Sequence, residues 1–435
     1  MTSDNVHHWR KVSKEPMGEY PPLLGDVNYS IAVVGGGLTG LSAAHELADA
    51  GVDVCLLEAD RVGLAASGRN NGQVIPHHSK KSPGEINELL GSVRGEIYNR
   101  MVAEAPSKLF ELIRNHNVAC DLVDNGWIQA CHSHAALARA RLFQREWQAF
   151  GASTQMLEKD ELAAKVGSRA FLGGWKAKNA GHLNPFALTQ GVARIASANG
   201  ARIYEQSPVL RIVRNGAGWQ LITPKGIVNA QQVLIGTNAL TGDFWPGLRQ
   251  TLIPVRVFQV ATEPLTAEQR CTILPGNEGV SDTRRDILAF RYDSEWRLEA
   301  VGVHSLWHNA ERRGLDQVIA KLKRAFPQLR SLNGAAYWEG TLAVIPDRIP
   351  RMMQLASGMY FIGVSSGRGV AMSTAWGRMF AQFMCGNVVE AQLPVPLTSM
   401  QAIPAHGIAV QVAKYIHPLH QLQDRLESIG ITGRY

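Results

Sequence analysis

The sequence predicts an α/β protein, a parallel sheet flanked by helices with a mixed or antiparallel sheet inserted into it. Three observations carry this expectation. A strand–glycine–helix–strand unit spans Ile31 to Glu58. A second strand–glycine–helix unit, Met359 to Met384, follows more than 320 residues later. Between them, from Ile253 to Leu342, continuous apolar runs give way to alternation, the pattern of an antiparallel sheet.

The first unit is the most informative. Ile31 to Val34 is apolar throughout, as a strand buried on both faces must be. Gly35, Gly37 and Gly40 then fall in the G-x-G-x-x-G spacing, and Leu38, Leu41, Ala44 and Ala48 recur at helical period. A second apolar run, Val54 to Leu57, ends in Glu58, 18 residues after Gly40. This is the Rossmann-like fingerprint of a dinucleotide site. The first glycine makes the turn, the second admits a pyrophosphate, and the third lets helix and strand pack. The helix N-terminus offers unpaired N–H groups and a positive dipole end to phosphates. Glu58 would accept hydrogen bonds from ribose hydroxyls. The alternative is a glycine-rich turn with no ligand.

Bulk properties narrow the class. A chain of 435 residues accommodates two or three packed units, and 45% hydrophobic with 19% charged residues is globular. The net charge of +7 is scattered, with only short clusters such as Lys80-Lys81 and Arg312-Arg313. Without interleaved aromatics this predicts no nucleic-acid groove, though a mild positive field suits anionic substrates. Five cysteines, odd in number and without C-x-x-C, argue against disulfides and a zinc site, and for a reducing cytoplasm. No metal is expected. No run of 18 apolar residues occurs, so no integral membrane segment is expected.

In chain order, residues 1–28 carry Pro16, Pro21 and Pro22 and read as an extended arm, with His7-His8 solvated. After Glu58 comes RVGLAASGRNNGQVIPHH. Ser67, Arg69, Asn70, Asn71 and Gln73, with amides freed by Gly68 and Gly72, form a donor set suited to phosphates and a polar ring edge. Residues 83–118 read as one or two helices. Ser133 opens another, with Leu137, Phe143, Trp147 and Phe150 on one face, and His132 and His134 at its start as capping or surface groups. Asn184-Pro185 starts a helix that Asn199-Gly200 ends. Arg202 to Tyr204 and Val209 to Val213 read as strands, and Gln232 to Ile235 as a third. That third strand delivers Gly236, Thr237 and Asn238 to a C-terminal end, where ligands of open α/β sheets collect. Helix 315–326 should lie on the antiparallel sheet. Near the C-terminus, Met359 to Val364 is a strand, Ser365 to Gly369 a turn, and Val370 to Met384 a helix with Ala375, Met379, Phe380 and Phe383 inward. Residues 392–435 read as a proline-rich connection and an amphipathic helix (Leu419, Leu422, Leu426) packing outside.

The motifs Gly35 to Gly40, Glu58, ASGRNNGQ (66–73), AGHLNP (180–185), GTNA (236–239), IPVRVFQVATEPL (253–265) and FIGVSSGRG (361–369) stand in one order. That order resembles the glycine/D-amino acid oxidase (DAO) family, and within it the bacterial amine-oxidising branch that includes gamma-glutamylputrescine oxidoreductase. The resemblance covers roughly residues 28–430. It implies a discontinuous, p-hydroxybenzoate-hydroxylase-like FAD domain (29–90, 165–250 and 335–390). It also implies an inserted substrate or cap domain (91–164 and 251–334) roofing the flavin, with 391–435 a C-terminal extension. Gly35, Gly37, Gly40 and Glu58 would hold the ADP half of FAD. Ser67, Arg69, Asn70, Asn71, Gly72 and Gln73 would run beside the pyrophosphate and isoalloxazine, Val209 beside the adenine, and Gly367 to Gly369 near the pyrimidine edge; Thr237 is grouped with them.

The sequence also departs from the family. Arg368 stands where many relatives have histidine, and either places a positive charge near the N1–C2 region of the reduced flavin or faces solvent. Relatives with covalent FAD carry a cysteine in the run before a Pro-Asp pair; here Gly340 to Ile345, before Pro346-Asp347, has none, which implies non-covalent FAD. The implied reaction is oxidation of a C–N bond by hydride transfer to flavin N5 and imine hydrolysis, with a secondary amine or N-substituted amino acid as favoured substrate and oxygen or an electron carrier as acceptor. Candidate substrate or catalytic residues are Arg291, His304 and Arg368, with Arg256, Tyr292 and Trp338 beside them. Two alternatives stay open: a dehydrogenase passing electrons to a quinone or carrier protein, and a flavin-binding accessory subunit without turnover.

Overall fold

A computed structural model describes residues 7–303, 310–329, 331–363 and 367–428. His304 lies outside the described residues, as do 364 and the first two residues, 365 and 366, of the Ser365–Gly369 turn.

Two sheets carry the chain. In the first, the strands run in the order Leu397–Thr398, Arg351–Ala356, Met359–Gly363, Ile227–Ile235, Val27–Val34, Val54–Leu57 and Arg202–Tyr204. The centre is parallel, with Val34 opposite both Ile235 and Leu57. The alternation of the strand divides its burial. Ile31 and Val33 join the core under the helices Leu38–Asp49, Pro185–Ala198 and Gly369–Met384. Ala32 and Val34 join a second core with Trp219, Leu221 and Phe244. That other face is covered by an antiparallel excursion, Arg211–Asn215 and Gly218–Ile222, hydrogen-bonded to Ile227–Ile235. Continuous apolar sequence is what a strand covered on both sides requires.

The C-terminal ends of Val27–Val34, Val54–Leu57, Ile227–Ile235 and Met359–Gly363 all point the same way. The helices Leu38–Asp49 and Gly369–Met384 pack on each other, so both glycine corners lie at one edge of the sheet. On the second of these helices the fully buried residues are Val370, Ala371, Met372, Trp376, Gly377, Phe380 and Ala381. Of the expected inward set, Phe380 is fully buried, and Ala375, Met379 and Phe383 are partly buried and pack against the same core.

The second sheet has eight strands: Gly334–Val344, Ile253–Pro264, Arg297–Val303, Ala289–Tyr292, Gly279–Asp282, Trp127–Ala130, Gly174–Ala177 and Thr154–Leu157. It is mostly antiparallel, with one parallel pair between Gly279–Asp282 and Trp127–Ala130. The helix Ala310–Ala325 lies on it, with Val318, Ile319 and Leu322 in its core. The strands Gly174–Ala177 and Gly334–Val344 belong to this sheet, although the expected boundaries assigned both to the first unit. Conversely, the helix Ser92–Asn115 packs on Gly369–Met384 and shares the core of the first sheet. Local pattern identifies these elements but does not say which partner each will find.

The C-terminal helix His406–Ser428 docks by its polar side. Asp424 and Glu427 are buried against Arg285, whose Nη1 lies 2.7 Å from Glu427 Oε2, and Ser133 Oγ donates to Glu427 Oε1 at 2.9 Å. Leu419, Leu422 and Leu426 are exposed. The buried carboxylates paired with Arg285 hold the helix, and the leucine stripe stays on its exposed side. No helix of the described residues is long and apolar enough to cross a membrane.

Candidate functional site

The dinucleotide corner forms because Gly40 has no side chain. A Cβ there would stand 2.1 Å from the Gly35 carbonyl oxygen, inside any tolerable contact, so the helix could not approach the turn. Gly37 caps the helix Leu38–Asp49 and faces Ser67 Oγ, which accepts the Leu38 N–H at 3.0 Å. Gly35 lies against Gly236 and the Thr237 methyl, putting GTNA beside the turn as the strand order requires.

Glu58 ends its strand with one carboxylate oxygen accepting the Gly36 N–H at 2.7 Å and the other the Asp60 N–H at 2.9 Å. Each oxygen keeps a further lone pair for a ribose hydroxyl. Burial raises its pKa, and the backbone N–H groups counter that shift. Val209 is half-buried in the core on the far side of this sheet and lies just before the strand Arg211–Asn215, two residues later than expected for its start. These residues fit the adenosine and pyrophosphate portions of an adenine dinucleotide.

The loop after Glu58 is organised differently from expectation. A helical turn, Ala66–Arg69, leads into Asn70–Gln73. Its side-chain donors are engaged within the protein. Arg69 donates to the Leu64 and Glu339 carbonyls, and Asn70 Nδ2 to those of Ala66 and Ser67, while Asn70 Oδ1 accepts the Gly72 N–H. Asn71 Nδ2 reaches Gln259 Oε1 at 3.3 Å. Gln73 is buried between the sheets. It donates to the Val280 and Phe290 carbonyls and accepts from Trp127 Nε1 and Ser281 Oγ. These side chains shape the loop, and its backbone is what they leave available.

Arg291 is 2% exposed. Its Nε donates to the Asn71 carbonyl at 2.8 Å, Nη1 to Tyr292 and Nη2 to Leu183, so the fork grips main chain. It borders a pocket of about 250 Å3 whose other walls include Trp9, Val12, Asp121, His182 and Trp296. None of the dinucleotide-turn or 67–73 loop residues line that pocket. Burial lowers its pKa to about 10, so it stays charged at neutral pH. Arg256 is ion-paired with Glu339 on the adjacent strand. Tyr292 is buried and donates to the Ile273 carbonyl. Trp338 donates from Nε1 to the Arg69 carbonyl at 3.0 Å.

Arg368 caps the second glycine corner, between Gly367 and the helix that Gly369 starts. Its guanidinium lies 5.1 Å from the Trp127 ring centroid, and burial brings its pKa down to about 10. His77 stands 4.6 Å from the same Trp127 ring. Burial, then the Arg368 charge, holds His77 well below the usual histidine range. With Nδ1–H donated to the His78 carbonyl, the buried His77 Nε2 lone pair has no partner among the described residues. The sequence reading passed over His77; the only cue was its place just after the ASGRNNGQ run.

The arm supplies the largest correction. His8–Lys11 is a helical turn rather than extended chain, and His7, His8 and Trp9 are all buried rather than solvated. His8 Nε2 sits 2.8 Å from Asp293 Oδ2 and 2.9 Å from Glu299 Oε1. Burial opposes its charge, but the hydrogen bonds to Asp293 and Glu299 prevail and raise its pKa to about 9. A protonated His8 with Arg291 balances the two carboxylates. His132, also expected at the surface, is buried with Nδ1 2.8 Å from Thr283 Oγ1.

A parallel sheet bearing a dinucleotide turn at its carboxyl edge, roofed by a second, mostly antiparallel sheet, defines a two-sheet, nucleotide-cofactor oxidoreductase architecture. The chain belongs to the DAO family of FAD-dependent oxidoreductases, whose family model matches residues 30–383. It is 28% identical over 418 residues to gamma-glutamylputrescine oxidoreductase of Escherichia coli (strain K12), covering 92% of this chain and 97% of that protein. The fold is similar to that of crystalline glycine oxidase from Geobacillus kaustophilus, with a TM-score of 0.71 at 21% identity, covering 86% of this chain and 100% of that one. It is equally similar to L-proline dehydrogenase from P. horikoshii, with a TM-score of 0.71 at 20% identity, covering 85% and 96%. The expected fold and FAD dependence are thereby borne out.

Proposed function

We propose that this protein oxidises the C–N bond of a small amine or amino acid, a secondary amine or N-substituted amino acid being favoured, with non-covalently held FAD. The observation that carries the reading is the stitch between Leu38 N–H and Ser67 Oγ. It joins the adenosine-binding turn to the loop that continues toward the second glycine corner, so one extended cofactor can follow both. When bound, FAD supplies the two-electron acceptor for the substrate's α C–H, and water hydrolyses the resulting imine.

The chain's own residues divide the remaining work. Gly35, Gly37, Gly40 and Glu58 hold the nucleotide end, with Thr237 packed against the turn and Val209 toward the adenine. Ser67 to Gln73 shape the path to the ring, and Gly367 and Gly369 frame its far edge. Arg368 adds fixed positive charge there, which favours an anionic reduced ring. His77, neutral and with an Nε2 lone pair that has no partner among the described residues, is our candidate acceptor for a substrate amine. Arg291 is better read as a brace for the loop than as a substrate fork, since three of its donors are engaged by carbonyls. His304 is kept as a substrate-contact candidate. The first sheet with its helices forms the FAD unit, and the second sheet forms the cap.

Free cysteines, three of them buried, suit a reducing cytoplasm. Anaerobic addition of gamma-glutamyl amines, polyamines, N-methyl amino acids and D-amino acids to the yellow protein should bleach it with one of these classes. Absence of bleaching with all four would favour an accessory flavoprotein. Peroxide on readmission of air marks an oxidase, and its absence the dehydrogenase alternative. Acid precipitation should leave the colour in the supernatant.

A further inference from the structure

We propose that the N-terminal turn His7–Lys11 is a positioning lock that sets the peptide planes of the cofactor loop, with Trp9 and Arg291 as the bolts and His8 as the anchor. The inference rests on the proposed reading that residues 67–73 run beside FAD.

Three successive carbonyls of that loop are held from one side. The Arg69 carbonyl accepts from Gln259 Nε2 at 2.5 Å and Trp338 Nε1 at 3.0 Å. The Asn70 carbonyl accepts from Trp9 Nε1 at 2.9 Å, and the Asn71 carbonyl from Arg291 Nε at 2.8 Å. In a planar trans peptide the N–H points opposite to the C=O. Fixing the Arg69 and Asn70 carbonyls toward the arm and the second sheet therefore aims the Asn70 and Asn71 N–H groups the other way. Neither N–H has an acceptor among the described residues. The Gly72 N–H is turned back instead onto Asn70 Oδ1, and this closes the loop. Gly72 takes φ +72°, and a Cβ there would meet the Leu183 carbonyl oxygen at 2.0 Å, so the loop has one workable path. The product is a pair of adjacent backbone donors facing the cofactor side, the kind of preorganised dipole that stabilises negative charge on a reduced ring.

The bolts depend on the anchor. Trp9 stacks against Arg291, 4.1 Å from guanidinium carbon to ring centroid, and meets Trp338 edge-on at 5.7 Å. The Trp9 carbonyl is held by Asn184 Nδ2 at 3.0 Å. Next to it, His8 is wedged between Asp293 and Glu299 and stacks on Trp338 at 5.4 Å. The charged groups facing His8 are Asp293 and Glu299, with Arg291 and Arg297 behind them and His7 on its own turn. Glu299 is fully buried, so removing the His8 proton leaves two carboxylates with Arg291 and Arg297 as the cations near them among the described residues. The turn should then loosen as alkali deprotonates His8.

The test uses the full-length holoprotein and three variants, Trp9→Phe, His8→Gln and Trp9→Ala. Readouts are FAD dissociation constant, flavin absorption spectrum, and the pH dependence of FAD affinity between 7 and 10. Trp9→Phe keeps the ring stack and deletes one donor, so FAD should bind about 3–10-fold more weakly with a shifted flavin band. Trp9→Ala should lose more than ~10-fold. Wild-type affinity should fall as pH rises through the His8 pKa, whereas His8→Gln should be weaker at pH 7 and flat across that window. Unchanged affinity, spectrum and pH profile in Trp9→Phe and His8→Gln would overturn the lock and leave the turn as packing. If Trp9→Ala does not fold, those two milder variants still decide. Failure of the wild-type protein to take up FAD at all would instead overturn the proposed function, and the two failures are distinguishable.

Discussion

The Arg291 guanidinium lies over the indole of Trp9, a residue far earlier in the chain, and the two donate to consecutive carbonyls of one loop. A planar fork can grip three carbonyls and stack on a ring at once; an ammonium cannot. Arg291→Lys should therefore weaken FAD binding about 10-fold while leaving KM for substrate nearly unchanged at saturating FAD. A large rise in KM with normal FAD affinity would return Arg291 to the role of substrate fork.

Gln73 satisfies four buried partners across the seam between the sheets. Gln73→Leu keeps the bulk but takes the amide away from two buried carbonyls and leaves Trp127 Nε1 and Ser281 Oγ only their mutual 3.3 Å contact. Each unsatisfied buried group costs ~1–3 kcal/mol, so a loss of roughly 3 kcal/mol or more is expected from denaturant titration. A change within 0.5 kcal/mol would show that water replaces the amide.

Glu58→Gln preserves shape but replaces a carboxylate acceptor with a carbonyl and an N–H. Hydrogen bonds to charged groups contribute about 1.5–3 kcal/mol, so FAD affinity should fall about 10–100-fold, measured by fluorescence quenching. FMN, which lacks the adenosine, should bind both proteins alike.

Arg368→Met removes the charge beside Trp127 while keeping an apolar stem. If the guanidinium faces the flavin, the two-electron midpoint potential should drop by roughly 30 mV, the equivalent of about 1.4 kcal/mol. A potential unchanged within error would leave Arg368 as packing against Trp127 rather than a charge that acts on the flavin.

Stability should peak near neutrality. His8 has a folded-state pKa raised to about 9, so its contribution is complete below the unfolded value near 6.5 and is lost as pH rises through 9. His182 is shifted the other way, to about 3 by burial and then by Arg291. Its neutral form is favoured in the fold, so stability declines as pH falls from 6.5 toward 3. Thermal midpoints from pH 4 to 10 should trace this dome, and His8→Gln should flatten only its alkaline side. An alkaline limb identical in wild type and variant would refute the assignment to His8.

The amino-acid sequence by itself determined the local elements and the nucleotide corner. Gly35 to Gly40 with Glu58 is legible because a close helix–strand approach and a terminal carboxylate demand those residue types at that spacing. The Ser133 and Asn184 caps and the alternating strands are legible for the same reason: their cause lies within a few residues. What only the tertiary structure decided are the meetings between distant segments. Which sheet received Gly174–Ala177 and Gly334–Val344 depended on partners far along the chain. So did the docking of the C-terminal helix by its carboxylates, and the burial of His8 and Trp9 against Asp293, Glu299 and Arg291. Polar residues in a proline-bearing arm look solvated until the buried charges that complement them, nearly three hundred residues away, are brought alongside.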